Sequence, residues 1–226
     1  MDGKLREICW EIAKKYCGDE PVHGIPHMNR MLKNFRKISI NGSDQNILDA
    51  VEFAVMLHDI GKNSETLEKK HGLISKEILN SEKYKDIFQQ IPNYEWIEYA
   101  IYGHDNAIEI GELKNLKKPK EVCLALLLAL DNMDAIGKIG VHRDFQNMRD
   151  KGNNLNSFLA FLKKNNSFID GNVSRLQKIQ KINVEKLLKE YKTLKTEQAD
   201  YISRLEKGNL KIKDEDIKKY LEIKNN

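Results

Sequence analysis

The sequence predicts an all-α protein, with a compact helical core followed by a C-terminal helical extension. Apolar residues recur at spacings of three and four along most of the 226-residue chain, which is the period of one face of an α-helix. Only four prolines are present, and proline is rarely tolerated inside a helix. No stretch alternates apolar and polar residues in the manner of a half-buried strand. We therefore expect helices nearly throughout.

Several helices can be located from their start and stop signals. Pro26 suits the first turn of a helix, because its missing N–H would be unpaired there anyway. Ser43 can cap the next helix, which we expect to run through His58 and to close at Gly61 in the left-handed conformation. Further helices are predicted at about 64–80, 93–104 and 120–133.

The composition of the chain changes near residue 149. We expect a core at residues 19–149, an N-terminal helix within residues 1–18 that packs on it, and a helical extension at 150–226. The extension is rich in Lys, Asn and Gln, which predicts long helices with an exposed face. Such helices would either cover one side of the core or pair with a second copy to form an oligomer. The sequence does not choose between these arrangements.

Composition also narrows the class of protein. The net charge of +4 is a small surplus in a chain that is 32% charged, so charge alone identifies no nucleic-acid partner. Cys9, Cys17 and Cys123 lack the spacing of a disulfide framework, which favours reduced thiols and a cytoplasmic location. The longest apolar run, 122–130, is about half a membrane span, so no membrane association is expected.

His58 and Asp59 form the first candidate functional pair. They end the helical run AVEFAVMLHDIGK, whose spacing places His58 on the buried face. A buried aspartate needs a partner, because an unpaired charge in an apolar setting is expensive. Two partners are open from the sequence: a salt bridge to Lys62, or a divalent metal ion.

Three residues on other predicted helices could complete a metal site. His27 lies in a first helical turn, His104 ends a helix, and Asp131 interrupts the apolar run LALLLALD. Hard divalent ions favour mixed imidazole and carboxylate ligands supplied by rigid elements. Each histidine taken singly could instead bond the terminal carbonyls of its helix.

The order of these residues resembles the HD superfamily of all-helical, metal-dependent phosphohydrolases. The resemblance covers about residues 19–145, and HDIGK at 58–62 is among the common forms of the superfamily motif. It implies an HD-type core and a divalent ion, for which Mn, Mg, Fe and Ni are the candidates. The implied metal ligands are His27, His58, Asp59 and Asp131.

The resemblance implies further roles around these ligands. Some members hold two ions, and His71 and His104 stand where the additional histidines would be expected, although His71 could also be a solvated helix residue. Asp59 and Lys62 are expected to be catalytic. Binding of substrate phosphate is expected from His23, which could alternatively orient His27, and from Arg30, Lys62 and Arg143.

The segment DNMDAIGKIGVHRDF, residues 131–145, carries a finer resemblance. It is similar to the motif that follows the last ligand in the HD branch that hydrolyses nucleoside triphosphates. Asp134 and Arg143 take its acidic and basic positions, and Gly137 and Gly140 allow a tight turn. Asp134 is expected either to support a metal ligand without binding the ion itself, or to form an ordinary surface ion pair.

These resemblances imply hydrolysis of nucleoside or deoxynucleoside triphosphates, or of related phosphorylated small molecules. The alternative is an HD-type phosphodiesterase or nuclease that acts on cyclic nucleotides, RNA or single-stranded DNA. A third hypothesis is a helical interaction module in which the ion is only structural. The sequence contains neither a GxSxG elbow nor a P-loop, which disfavours a serine nucleophile and a P-loop nucleotide site.

Overall fold

The structure, a computed structural model, describes residues 3–20, 22–40, 45–64, 70–105, 113, 116–150, 152, 154–179 and 182–212. Within these residues, ten α-helices form nearly all of the regular structure, which confirms the predicted all-α fold class. Two strands of two residues and two short 3-10 turns accompany them. The helices are α1 Gly3–Cys17, α2 Ile25–Phe35, α3 Gln45–Leu57, α4 His71–Leu79, α5 Lys85–Phe88, α6 Tyr94–Gly103, α7 Pro119–Asp134, α8 Gly137–Asp150, α9 Leu155–Arg175 and α10 Glu185–Glu206.

Helix α7 is the centre of the hydrophobic core. It begins at Pro119, next to the predicted start, and every residue of the run 122–130 is buried. Helices α2, α3, α6 and α9 pack around it. The apolar run is therefore an interior helix, held by burial of its whole circumference. None of the described helices is both long and apolar enough to cross a bilayer.

The turn after α3 differs from its predicted form. Helix α3 ends at Leu57, and residues 58–61 continue as a turn. Gly61 does not adopt the left-handed conformation predicted for it. Glycine is required there by close packing, since a Cβ would lie 2.4 Å from the carbonyl oxygen of His71 and 2.6 Å from the amide nitrogen of Ser75. The turn and α4 thus meet backbone against backbone.

Helix α4 begins later than predicted. Of the stretch 64–80, only His71–Leu79 is described as α-helix, while Lys62–Ser64 forms a 3-10 turn. Residues 65–69 lie outside the described part of the chain. A continuous helix from residue 64 is wrong, because Lys70 has an extended backbone directly before His71.

A pair of short strands was not predicted. Ser39–Ile40 pairs antiparallel with Ile182–Asn183. Two residues are too few to display the alternation that reveals a strand in a sequence. The pairing joins the C-terminal extension to the segment after α2. The predicted helix cap at Ser43 lies outside the described residues.

Helices α9 and α10 cover one side of the core, which is the first of the two arrangements open from the sequence. Ile169 and Val173 of α9 and Leu187 of α10 belong to the main hydrophobic core. A second, smaller apolar cluster joins α8 to both helices. It contains Val141, Phe158, Leu159, Leu162, Tyr201, Ile202 and Leu205.

Candidate metal centre

The ends of five helices converge on one buried cluster of histidine and aspartate side chains. Two helices contribute residues from their first turns, two contribute residues that directly follow their last turns, and α7 contributes a residue from its last turn. The cluster consists of His27 on α2, His58 and Asp59 after α3, His71 on α4, His104 after α6, and Asp131 on α7.

Asp59 lies at the centre of this cluster. Its side chain is only 3% exposed, and its two oxygens face different pairs of imidazoles. The Oδ2 atom lies 3.3 Å from Nε2 of His58 and 3.8 Å from Nε2 of His27. The Oδ1 atom lies 3.3 Å from Nε2 of His71 and 3.7 Å from Nε2 of His104. We call the Oδ2 side the first half-site and the Oδ1 side the second half-site.

Asp131 completes the first half-site. Its Oδ1 atom lies 3.4 Å from Nε2 of His27. The Asp131 side chain is 29% exposed, whereas those of His27, His58 and Asp59 are at most 3% exposed. Asp131 therefore forms the solvent-accessible edge of the first half-site.

His58 and His104 are oriented by main-chain carbonyl groups. The Nδ1 atom of His58 lies 3.0 Å from the carbonyl oxygen of Val55, and that of His104 lies 2.6 Å from the carbonyl oxygen of Ile101. The last carbonyls of a helix have no partner within it and are free to accept these bonds. Because each ring donates Nδ1–H, its Nε2 lone pair points at Asp59 when the ring is neutral.

His27 and His71 are oriented by carboxylates instead. The Nδ1 atom of His27 lies 2.6 Å from Oδ2 of Asp134, and that of His71 lies 3.1 Å from Oδ2 of Asp105. Each half-site therefore combines one carbonyl-supported imidazole with one carboxylate-supported imidazole. Support of this kind fixes the tautomer of a histidine and raises its basicity as a metal ligand.

The pKa values follow from this mixture of burial and charge. Burial lowers the pKa of His27, but the Asp134 carboxylate reverses the effect and raises it to about 9. Burial dominates at His58, whose pKa is lowered. Burial opposes ionisation of Asp59, but the imidazoles around it, His58 foremost, hold its pKa well below the usual range. Without a metal ion, a proton on His27 thus compensates part of the carboxylate charge.

The donor atoms fit a divalent metal ion. Nε2 of His27 and Nε2 of His58 are buried and have no hydrogen-bond partner within the described part of the chain, which is costly unless something else binds them. Candidate ligand atoms of His27, His58 and Asp131 lie within 4.8 Å of one another, as do those of His58, Asp59 and His104. Ligands at about 2.1 Å from one ion have separations of this order. Imidazole nitrogens are typical ligands of Fe²⁺ and Ni²⁺ and carboxylate oxygens of Mn²⁺ and Mg²⁺, so the donor set does not choose among the candidate ions.

Asp134 binds both arginines that were predicted to contact substrate. Arg30 makes a bidentate contact, with Nε 2.5 Å from Oδ1 and Nη2 2.7 Å from Oδ2. Nη1 of Arg143 lies 3.0 Å from Oδ2. The two guanidinium groups hold the Asp134 carboxylate against His27, on the side of that ring away from Asp59. Asp134 is 4% exposed and is not a surface ion pair. Contact of either arginine with phosphate stays a prediction.

The predicted turn at the start of α8 brings Arg143 toward Asp134. Gly137 adopts a left-handed conformation with φ of 72°. A Cβ on Gly140 would lie 2.4 Å from the carbonyl oxygen of Ala135, so the helix returns very close to the end of α7. The sequence prediction of a tight turn at these glycines is confirmed.

The remaining predicted residues lie at the edge of the cluster. His23 is partly exposed, and its ring centroid lies 6.5 Å from that of His27. Lys62 is partly buried in the 3-10 turn, and its charge opposes the rise in the pKa of His71 that the Asp59 carboxylate causes despite burial. His71 itself is 12% exposed, so it is not a solvated helix residue. The roles of His23 and Lys62 in substrate binding and catalysis stay predictions.

Two residues of the site were missed from the sequence. Asp105 supports His71, and the dipeptide His104-Asp105 repeats the pattern of His58-Asp59, a signal that could have been noticed. Ser75 is fully buried, donates to the carbonyl oxygen of His58 and accepts from the amide of Gly61. Nothing in the sequence distinguishes Ser75 from an ordinary helix serine.

No family model, curated protein or solved structure matches this chain.

Proposed function

We propose that the protein is a divalent-metal-dependent phosphohydrolase of the HD type, acting on nucleoside or deoxynucleoside triphosphates. One observation carries this proposal: the two oxygens of a single buried carboxylate, Asp59, each face a pair of imidazole Nε2 atoms. A buried site of this composition, with a partly exposed carboxylate at its edge, is suited to ions that act on a phosphate ester.

Different residues of the chain would bind the metal ion and the substrate phosphate. An ion held by His27, His58, Asp59 and Asp131 would supply positive charge for a phosphoryl oxygen and would lower the pKa of water. Asp131 stands at the solvent-accessible edge, where substrate would enter. Lys62, beside the second half-site, would offer its ammonium group to phosphate oxygens.

The triphosphate assignment rests on the segment that joins α7 to α8. It resembles the motif of the HD branch that hydrolyses nucleoside triphosphates, and its acidic and basic positions, Asp134 and Arg143, are in contact at 3.0 Å. That contact supports His27 through Asp134. The resemblance therefore falls on residues that act together in the centre.

The test is product analysis with purified protein, Mn²⁺ and each deoxynucleoside triphosphate. We expect pyrophosphate and monophosphate from the wild type and a loss of at least about 100-fold in Asp59→Asn, because the shared ligand loses its charge. Asp200→Asn, which alters a carboxylate that is 68% exposed on α10, should retain full activity.

Equal turnover by wild type and Asp59→Asn would identify a contaminant and sink the proposal. Cleavage of cyclic nucleotides or single strands, with triphosphates left intact, would replace the triphosphate assignment by the phosphodiesterase alternative.

A further inference from the structure

We propose that Asp105 is a positioning residue that prepares the second half-site for a metal ion of its own. This inference rests on the proposed function and deepens it, because it assigns a purpose to a carboxylate that lies outside the HD dipeptide at 58–59.

Asp105 binds the first two residues of α4 through one oxygen. Its Oδ2 atom lies 3.1 Å from Nδ1 of His71 and accepts a hydrogen bond of 3.0 Å from the amide nitrogen of Gly72. A carboxylate at this place also complements the positive end of the α4 dipole. One side chain thereby fixes both the start of the helix and the ring of its first residue.

Gly72 makes this approach sterically feasible. A Cβ at this position would lie 2.5 Å from Oδ1 of Asp105 and 2.6 Å from the carbonyl oxygen of Ile101. Any other residue would push the carboxylate away from His71 or separate α4 from α6. The close contact is therefore built into the sequence at two positions 33 residues apart.

The contact fixes which nitrogen of His71 faces the centre. With Nδ1–H donated to Asp105, Nε2 lies 3.3 Å from Oδ1 of Asp59 and 2.8 Å from Nε2 of His104. Two ring nitrogens this close require a proton or a cation between or beside them. Asp59 supplies the negative charge that a cation needs there, and it is shared with the first half-site.

The two half-sites differ in their number of ligands. The first has four donor atoms, from His27, His58, Asp59 and Asp131. Among the described residues, the second has three donor atoms, from Asp59, His71 and His104. The second ion should bind more weakly than the first and should depend more on the orientation of each ligand. Its affinity should therefore respond selectively to Asp105.

The experiment is a Mn²⁺ binding isotherm on the full-length protein, with free Mn²⁺ measured by electron paramagnetic resonance. The wild type should bind two ions with unequal affinity, and the loaded protein should show the spectrum of two exchange-coupled ions. Asp105→Asn should weaken the second ion by about 10- to 100-fold, leave the first unchanged and abolish the coupled spectrum at limiting Mn²⁺. The matched variant Asp134→Asn should weaken the first ion instead.

Circular dichroism of each variant tests its folding. If Asp105→Asn is unfolded, Asp105→Ser keeps a short acceptor for the Gly72 amide, removes the carboxylate from His71 and carries the same expectation. Unchanged or equally weakened affinities at both half-sites in a folded variant would overturn the inference. So would a wild type that binds one ion, although the proposed function would then stand on a mononuclear centre. A wild type that binds no ion would refute the proposed function itself.

Discussion

Buried aspartates in this protein differ in how their charge is compensated. Asp134 is bound by two guanidinium groups and one imidazole, and these partners keep its pKa far below the usual range despite burial. Asp144, on α8, is 6% exposed, and its Oδ1 atom lies 3.7 Å from Nε of Arg143. Among the described residues, its Oδ2 atom has no hydrogen-bond partner. The two carboxylates should therefore affect stability in opposite directions.

Asp144 should make the stability of the metal-free protein fall as pH rises. Burial raises its pKa to about 7, although Arg143 opposes the shift. Its value in the unfolded chain is close to 4, so the folded state binds more protons between about pH 4 and 7. The free energy of unfolding consequently decreases over that interval and levels off above it.

The measurement is urea unfolding of Asp144→Asn in the presence of EDTA. The variant should be more stable than wild type by about 1 to 4 kcal/mol at pH 8, since a neutral amide carries no ionisation cost, and the difference should vanish near pH 4. Asp200→Asn, at an exposed position, should show no such pH dependence. A constant difference between Asp144→Asn and wild type across pH would contradict the assigned shift.

Metal ligands could be predicted from the sequence where a polar residue interrupts or ends an apolar run. Asp131 interrupts an apolar run, and His58-Asp59 ends another, so both signal a buried polar group that needs a partner. Asp105 and Ser75 show no such signal. Their roles depend on α4 packing against α6 and against the turn after α3. These are tertiary contacts, which the local sequence pattern does not reveal.

At the scale of elements, the two imidazoles of each half-site come from the start of one helix and the end of another. Helices α2 and α4 present their first turns, and α3 and α6 present the residues after their last turns. The helix ends supply unpaired carbonyls that orient His58 and His104. The positions of the four imidazoles are thus set by how these four helix termini pack, and a small displacement of one should be visible in metal binding.

Substitution of Gly61 tests whether metal binding depends on the packing of these helix termini. A Cβ at Gly61 would overlap the backbone of α4, so Gly61→Ala should lower the free energy of unfolding by about 1–3 kcal/mol and weaken Mn²⁺ binding. The matched variant is Gly171→Ala, near the C-terminal end of α9, where a Cβ would meet nothing within 4 Å. It should raise stability by about 0.5–1 kcal/mol, because alanine is the better helix former. Urea unfolding and a Mn²⁺ isotherm check both variants. Equal changes in stability and in Mn²⁺ affinity for the two variants would show that α4 can shift to accommodate the added Cβ without destabilising the fold.

Most helices could be predicted because their apolar spacing is independent of tertiary contacts. Helices α2 and α7 begin near Pro26 and Pro119 for a purely local reason, the fixed φ of proline and its missing N–H. Gly61 was misjudged because the local signal for a helix end is the same as the signal for close packing. The strand pair Ser39–Ile40 with Ile182–Asn183 depends on a long-range contact alone.

For the whole molecule, the main hydrophobic core draws on nearly the full length of the described chain. It includes Cys9 of α1, the interior of α7, and Leu187 of α10. The extension after residue 149 therefore shares the main core with the metal centre, in addition to the smaller cluster that it forms with α8. Such continuity predicts cooperative unfolding of the two parts.

Paired core truncations can test this cooperativity. Leu128 of α7 is 2% exposed and Ile169 of α9 is 1% exposed, and their helices pack against each other. Leu128→Ala and Ile169→Ala should each lower the free energy of unfolding by about 2–5 kcal/mol. In differential scanning calorimetry, both should shift one shared transition whose calorimetric and van't Hoff enthalpies agree. A second transition that only Ile169→Ala moves would mean that the C-terminal helices unfold independently, and the metal centre would then survive their loss.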